Sequence, residues 1–341
     1  MSTTLKDIAR LAGVNPATVS RTINRPEKVK PETRQKIEAI INEQGYKPNF
    51  FAQGLASGRT DSVGILTSFN TNPYIIEIIE TLEHQLAIDG TYMYLCNCQQ
   101  SLELEKKYLD ELMRRKIDGL FVIESPSLNT VHNLYVKNGF DCPVILINQH
   151  IKTAGDCFVV SCDQKPGILE IFNEVKHRRL YPFILFTPAD KSYYFALKER
   201  LFESWRLKNR LDNNQARCVR LEKLIDPNSE KSVWYSSEAA KELFKRYSPR
   251  AILAGNDLMA LGVLAAAREK GINVPRDLSI AGVDNTFISR ISIPAMSTID
   301  LRMGEMGLKA AELYRKLKKN SPVQCKRELR VPSMFYRRET F

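Results

Sequence analysis

No apolar run in this sequence approaches the roughly 18 residues that a membrane-spanning helix needs. It also lacks a basic leader followed by an apolar core and a small-residue cleavage site, so the expectation is a cytoplasmic protein with no membrane partner. Histidine is scarce, and His84, His132, His150 and His177 are scattered without pairing. The seven cysteines are odd in number and spread through strand-like apolar segments, which suits small buried hydrophobes better than a disulfide framework. Cys96-Asn97-Cys98 has one residue between its thiols where a zinc knuckle has two, so neither a metal nor a cofactor is expected. There is no nucleophile elbow, phosphate-cradling glycine loop or paired-histidine motif. The sequence therefore reads as that of a non-enzyme.

What the chain does have is size and positive charge. With 341 residues, 43% of them hydrophobic, it can bury sizeable cores and is long enough for two or three domains. Fifty Lys and Arg against 39 Asp and Glu leave a formal +11, which favours polyanionic partners but also suits an ordinary basic protein.

The first fifty residues narrow that choice. Thr4 with Asp7 three positions on forms a capping pattern, and Leu5, Ile8, Ala9 and Ala12 recur at helical spacing until Gly13 breaks the run. Asn15 can cap a second helix, about Pro16 to Asn24, with proline at a first position whose N–H would have no partner anyway. Pro31 opens a third, continuing through Thr33 to Gln44, with Gly45 as its stop. Helix, glycine-containing turn, helix is the helix-turn-helix unit, whose second helix enters the DNA major groove. Val19 and Ile23 face inward by spacing, leaving Pro16, Ala17, Ser20 and Arg21 toward the groove and Asn15, Thr18 and Asn24 within reach of phosphates. Pro16 and Ala17 read only shape or a thymine methyl, whereas Arg21 can pair in a bidentate way with guanine. A short basic helical subdomain that binds another protein is the competing reading.

The segment "LKDIARLAGVNPATVSRTINRPEKVKPETRQKIEAIINEQGYKPNFFAQGLASG" resembles the DNA-binding end of the lactose-repressor/galactose-repressor (LacI/GalR) family of bacterial transcription regulators. The resemblance extends along the whole chain. It implies that "YKPNFFAQGLASGRT" is a hinge that folds into a short helix on operator DNA, with Asn49 at its start and Leu55 inserted into the minor groove. Read without the resemblance, Asn49 is an N-cap, Phe50 to Ala56 is a marginal helix with Gly54 inside it, and a flexible linker is the alternative.

From Ser62 onward, short apolar strands alternate with amphipathic helices. "SVGIL", "YMYLC", "GLFVI" and "VILIN" read as strands with helices near Tyr74 to Asp89, Leu102 to Arg115 and Ser127 to Asn138, and "CFVVSC", "FILF", "CVRL", "AILA" and "SIAGV" form a second series. Such alternation implies parallel sheets with ligands beyond the carboxyl ends of the strands. The resemblance implies a periplasmic-binding-protein-like core on the landmarks Asn72-Pro73-Tyr74, "RRKIDG", "GNDLMALG" and "AGVDN". By position it assigns effector contacts to Tyr74, Asn148, Arg200, Asn256 and Asp284, with Trp234 in a loop that aligns only with a gap. Asn256 and Asp284 also suit helix caps, Tyr74 also suits packing, and Lys198 competes with Arg200 within "LKERLFESW".

The expected architecture is an all-α helix-turn-helix domain over 1–48, a hinge over 49–60 and a core over 61–341 of two doubly wound parallel-sheet subdomains. These subdomains are expected to comprise about 61–160 with 292–320, and 161–291 with 321–341. The resemblance implies a homodimeric repressor of carbohydrate uptake or catabolism genes, bound to inverted-repeat operator DNA and controlled by a sugar-like effector. No leucine heptads for a tetramer follow "VPSMFYRRETF". A nucleoside- or purine-responsive repressor is the alternative. The rivals from other classes are a sugar-binding receptor, which would need an export signal, and a sugar-modifying enzyme, which would need a reactive group at a strand end.

Overall fold

A computed structural model describes residues 3–47, 59–68, 73–123, 142–149, 157–189, 192–222, 224, 226–318 and 327–341. The expected hinge contacts Asn49 and Leu55, the landmark Asn72 and the expected helix over 127–138 lie outside the described residues.

The N-terminal part is three helices, α1 (Leu5–Ala12), α2 (Pro16–Asn24) and α3 (Pro31–Glu43). Thr4 and Asp7 cap α1 reciprocally: the Thr4 hydroxyl accepts from the Asp7 amide, and the Asp7 carboxylate accepts from the Thr4 amide at 3.0 Å. Gly13 ends α1 at φ +68°, the left-handed turn that glycine adopts without strain, and lets the Val14 amide reach back to the Ala9 carbonyl. Ile8, Ala9, Ala12, Val19 and Ile37 form a shared core, flanked by Leu5, Val14, Ile23, Ile40, Ile41 and Tyr46. Thr22 is buried as well, which the apolar pattern could not show, because its hydroxyl donates to the Thr18 carbonyl at 3.0 Å.

The rest is built on two six-stranded sheets. The first has the order β11 (Glu328–Pro332), β5 (Phe158–Asp163), β4 (Val144–Ile147), β3 (Gly119–Ile123), β1 (Ser62–Thr67), β2 (Tyr92–Asn97), with every pairing parallel. Helices α4 (Tyr74–Ile88) and α5 (Leu102–Arg114) connect its early strands. The second has the order β12 (Met334–Tyr336), β10 (Ser297–Asp300), β9 (Ser279–Asp284), β8 (Ala251–Ala254), β6 (Phe183–Pro188), β7 (Ala216–Leu221). Only β12 runs antiparallel to its neighbour. Its helices are α6 (Lys165–His177), α7 (Tyr193–Lys208), α8 (Lys231–Arg246), α9 (Asp257–Glu269) and the short α10 (Phe287–Ile291).

α11 (Met303–Lys318) returns to the first sheet. Gly307 lets it lie close to α4, since a methyl there would sit 2.9 Å from the Ile78 carbonyl oxygen, and Tyr314 packs edge-on against Phe121 at 5.7 Å. The return of α11 agrees with the expected division of the chain, but strand pairing corrects it at two places. β10 falls in 292–320 but pairs with β9 in the second sheet, and β11 falls in 321–341 but pairs with β5 in the first. Strands of four or five residues carry little apolar pattern of their own, so their sheet is set by register with their neighbours.

The chain thus passes between the sheets three times, after Asp163, after Asp300 and after Pro332. The passages lie side by side, because Pro332 is in register with Asp163 and Met334 with Asp300. The Ser333 amide donates to the Asp163 carbonyl at 2.9 Å, its hydroxyl accepts from the Gly167 amide at 3.0 Å, and the Arg302 amide donates to the Asp300 carboxylate at 2.7 Å.

Candidate functional site

Two groups of residues are arranged for recognition. The first is the outer face of α2. The Asn15 side-chain oxygen accepts from the Ala17 amide at 2.9 Å, which fixes the start of the helix and leaves the amide group of Asn15 as a donor. Pro16, Ala17, Arg21 and Asn24 are exposed while Val19 and Thr22 are buried, so the exposed side of α2 carries these four residues expected to meet DNA. Ser20 and Thr18 are half-buried on its flank. Asn24 donates to the Ser20 hydroxyl at 3.3 Å. Arg21 has no ion-pair partner among the described residues, whereas Arg10 and Arg34 on neighbouring helices are held by Asp7 and Glu38. Lys6, Arg25, Lys28, Lys30, Lys36 and Lys47 are exposed around them. An exposed guanidinium flanked by exposed cations is what phosphate contacts and base-edge pairing require.

The second group sits at the carboxyl ends of the strands. Asn148 follows β4 at φ +53°, is 6% exposed, and its side-chain oxygen has no hydrogen-bond partner among the described residues. Buried side-chain oxygens of Thr67 at the end of β1, Ser68 just beyond it, Gln164 beyond β5 and Thr187 in β6 are in the same condition. A buried polar atom left unpaired costs about 1–3 kcal/mol, and of the longer set in this condition, which also includes Thr91, Ser232, Ser236 and Ser279, these five are the ones near the carboxyl ends of strands. Tyr74, the first residue of α4, is buried and joins the main apolar cluster. Asp284 ends β9 at φ +111°, half-buried, and lies in register with Asp300.

Asn256 caps α9, its oxygen accepting from the Met259 amide at 2.9 Å and its amide donating to the Pro227 carbonyl at 2.8 Å. Both ends of that side chain are thus engaged within the protein. Arg200 is exposed and lies over the Tyr193 ring, while Lys198, two residues earlier on α7, is 3% exposed with its ammonium 4.6 Å from the Phe195 ring centre. Lys198 is therefore the cation that α7 turns inward. Trp234 is 61% exposed on α8, edge-on to Tyr235, and does not join the buried group.

Asp257, the acidic residue directly after the capping Asn256, is the hub of this end of the second sheet. Its carboxylate accepts from the Thr298 hydroxyl at 2.6 Å, and from the amide and hydroxyl of Thr286 at 2.8 and 3.0 Å. Thr298 in turn accepts from the Asn285 amide at 3.3 Å, and the Asn285 side chain accepts from Arg338 at 2.7 Å. Full burial pushes the Asp257 carboxyl up to about 7, against the lowering effect of these hydrogen bonds and of nearby Arg338. The network fixes the turn that carries Asp284. Its only sequence signal was an acidic residue directly after a capping Asn.

Residues 4–49 match the family described as bacterial regulatory proteins, lacI family, and residues 169–341 match the periplasmic binding protein-like domain. The transcriptional regulator DegA of Bacillus subtilis is 29% identical over 308 residues, covering 90% of this chain and 89% of that one. A transcriptional repressor PurR of Proteus mirabilis is 30% identical over 308 residues, covering 89% and 87%. Among solved structures, the Lac repressor dimer bound to operator and the anti-inducer ONPF aligns over 100% of this chain and 99% of that one, with a TM-score of 0.85 at 22% identity. A transcriptional regulator CelR–cellobiose complex aligns over 99% and 100%, with a TM-score of 0.66 at 21% identity.

Proposed function

This chain belongs to the lacI family of bacterial regulatory proteins, DNA-binding regulators of transcription, and we propose that it is a dimeric repressor of carbohydrate genes released or engaged by a sugar-like effector. The observation that carries the effector class is the set of unpaired buried oxygens on Thr67, Ser68, Asn148, Gln164 and Thr187. They are hydroxyls and amides, drawn from both sheets, and a neutral polyhydroxylated molecule offers each a donor without bringing a charge that needs neutralising. Asp284 and Lys198 add one carboxylate and one ammonium at the edge of this set, and Tyr74 adds an aromatic body. The relative complexed with cellobiose supports the same class.

On the DNA side, α2 of each protomer reads one half of an inverted repeat. Two-fold related recognition helices need half-sites about one helical turn apart. Effector binding between the sheets changes their relative orientation, and regulation requires unequal effector affinity for the two arrangements.

A thermal-shift screen against sugars, sugar phosphates, nucleosides and purines tests the effector class, because a ligand at about 100 times its Kd stabilises the fold by about 2.7 kcal/mol. Sugars alone should raise the melting temperature and alter operator affinity. A response confined to purines or nucleosides would replace the sugar reading with the one that the PurR relatives favour.

A further inference from the structure

Away from the strand ends, α6 and α7 enclose a surface cavity of about 490 Å³ lined by Lys165, Leu169, Asn173, Lys176, Leu201, Ser204, Trp205, Lys208 and Asn209. Three features set it apart from an ordinary gap between helices. The lining holds three lysines and no carboxylate. Its floor is apolar, formed by Leu169, Leu201 and the Trp205 indole. Trp205 itself is only 6% exposed, and its ring N–H, likewise buried, has no hydrogen-bond partner among the described residues.

A buried indole N–H is normally paired. Lys176 and Lys208 stand in the last turns of their helices, where cations complement the helix dipole. That accounts for their charge but not for the cavity between the helices.

We propose that this cavity binds a small phosphorylated molecule, its phosphate held by Lys176 and Lys208 and its flat or apolar body resting on Leu169, Leu201 and Trp205. The volume is that of a small-ligand site. The lining offers donors and no carboxylate: ammonium groups for the anion, and the Asn173 and Ser204 side chains for its ester and hydroxyl oxygens, the Asn209 amide already donating to the Trp205 carbonyl at 2.8 Å. The site is separate from the effector group, none of whose residues lines it.

The chain holds two tryptophans, Trp205 and Trp234, so a Trp234→Phe variant leaves Trp205 as the sole indole reporter. Titrating that variant with adenosine 5′-diphosphate and with inorganic pyrophosphate should change its emission, and adenosine should bind far more weakly. Adding Lys176→Glu and Lys208→Glu should weaken both anions at least tenfold, since a hydrogen bond to a charged group is worth about 1.5–3 kcal/mol. Replacing both lysines by Gln should give a smaller loss in the same direction. Both lysines are exposed, and unchanged melting of the ligand-free variants checks the fold. The proposal is overturned if neither anion binds at about 1 mM, where even a Kd near that value would register. It is equally overturned if adenosine binds as well as the diphosphate, or if the lysine variants bind both anions as the parent does.

Discussion

At the scale of single residues, the two recognition regions differ in how their side chains are held. Arg21 is exposed and unengaged within the described structure, so its free energy is realised only on DNA. Arg21→Ala should weaken operator binding by about 1–3 kcal/mol and affect random DNA less, which a paired titration on operator and scrambled duplex measures. Equal losses on both duplexes would make Arg21 a phosphate contact. Asp257 is the opposite case, fully buried and bonded on both oxygens. Its carboxyl titrates near 7 in the folded chain against an ordinary 3.8, so the folded state retains a proton that the unfolded state has released. Stability from this group therefore falls as pH rises between about 4 and 7, by up to about 1.4 kcal/mol per pH unit. Asp257→Asn cannot titrate. Chemical denaturation of both proteins at several pH values should show the slope in the parent and its loss in the variant, and parallel curves would refute the assignment.

At the scale of elements, glycine positions make the sharpest predictions. Gly262 lies where α9 meets α8, and a methyl there would run into the Val233 carbonyl oxygen and stand 2.8 Å from Ser236 Cβ. Gly262→Ala should destabilise the core by about 1–3 kcal/mol, read as a lower denaturation midpoint. Thr4→Ala, which removes one half of a reciprocal cap, should cost about 1 kcal/mol in the N-terminal domain alone.

These elements also show where the sequence was legible. α1 and α2 carry their caps in the chain itself, and β3 and β8 are continuous apolar runs, so "GLFVI" and "AILA" marked their strands to the residue. β10, β11 and β12 were opaque as sheet members, because strands of three to five residues carry too little pattern to show their partners: β11 and β12 are edge strands placed by neighbours distant in sequence, and β10 lies between β12 and β9. The site divides in the same way. Strand-end residues such as Asn148 and Asp284 announced themselves by position, whereas the inward turn of Lys198 and the outward one of Arg200 depend on which face of α7 packs, and that helix is apolar on more than one side.

At the scale of the whole molecule, the DNA-reading face and the effector group lie on separately built parts, so their functions should separate by substitution. Asp284→Ala, assayed with whichever compound raises the melting temperature, should abolish that compound's effect on operator affinity while leaving affinity without it within about twofold. A variant that folds and still responds would remove Asp284 from the effector set. What joins the parts mechanically is the trio of adjacent passages at Asp163, Asp300 and Pro332. A single tether would let one half swivel, twist and slide against the other. Three straps laid abreast, the first and third stitched by Ser333 and the second held by the pairing of Asp300 with Met334, resist torsion and lateral slip, leaving flexure across the band as the soft coordinate. Motion at the ligand end is thereby converted into displacement along one predetermined arc, and the same redundancy means that a nick in any one strap leaves the halves fastened by the other two.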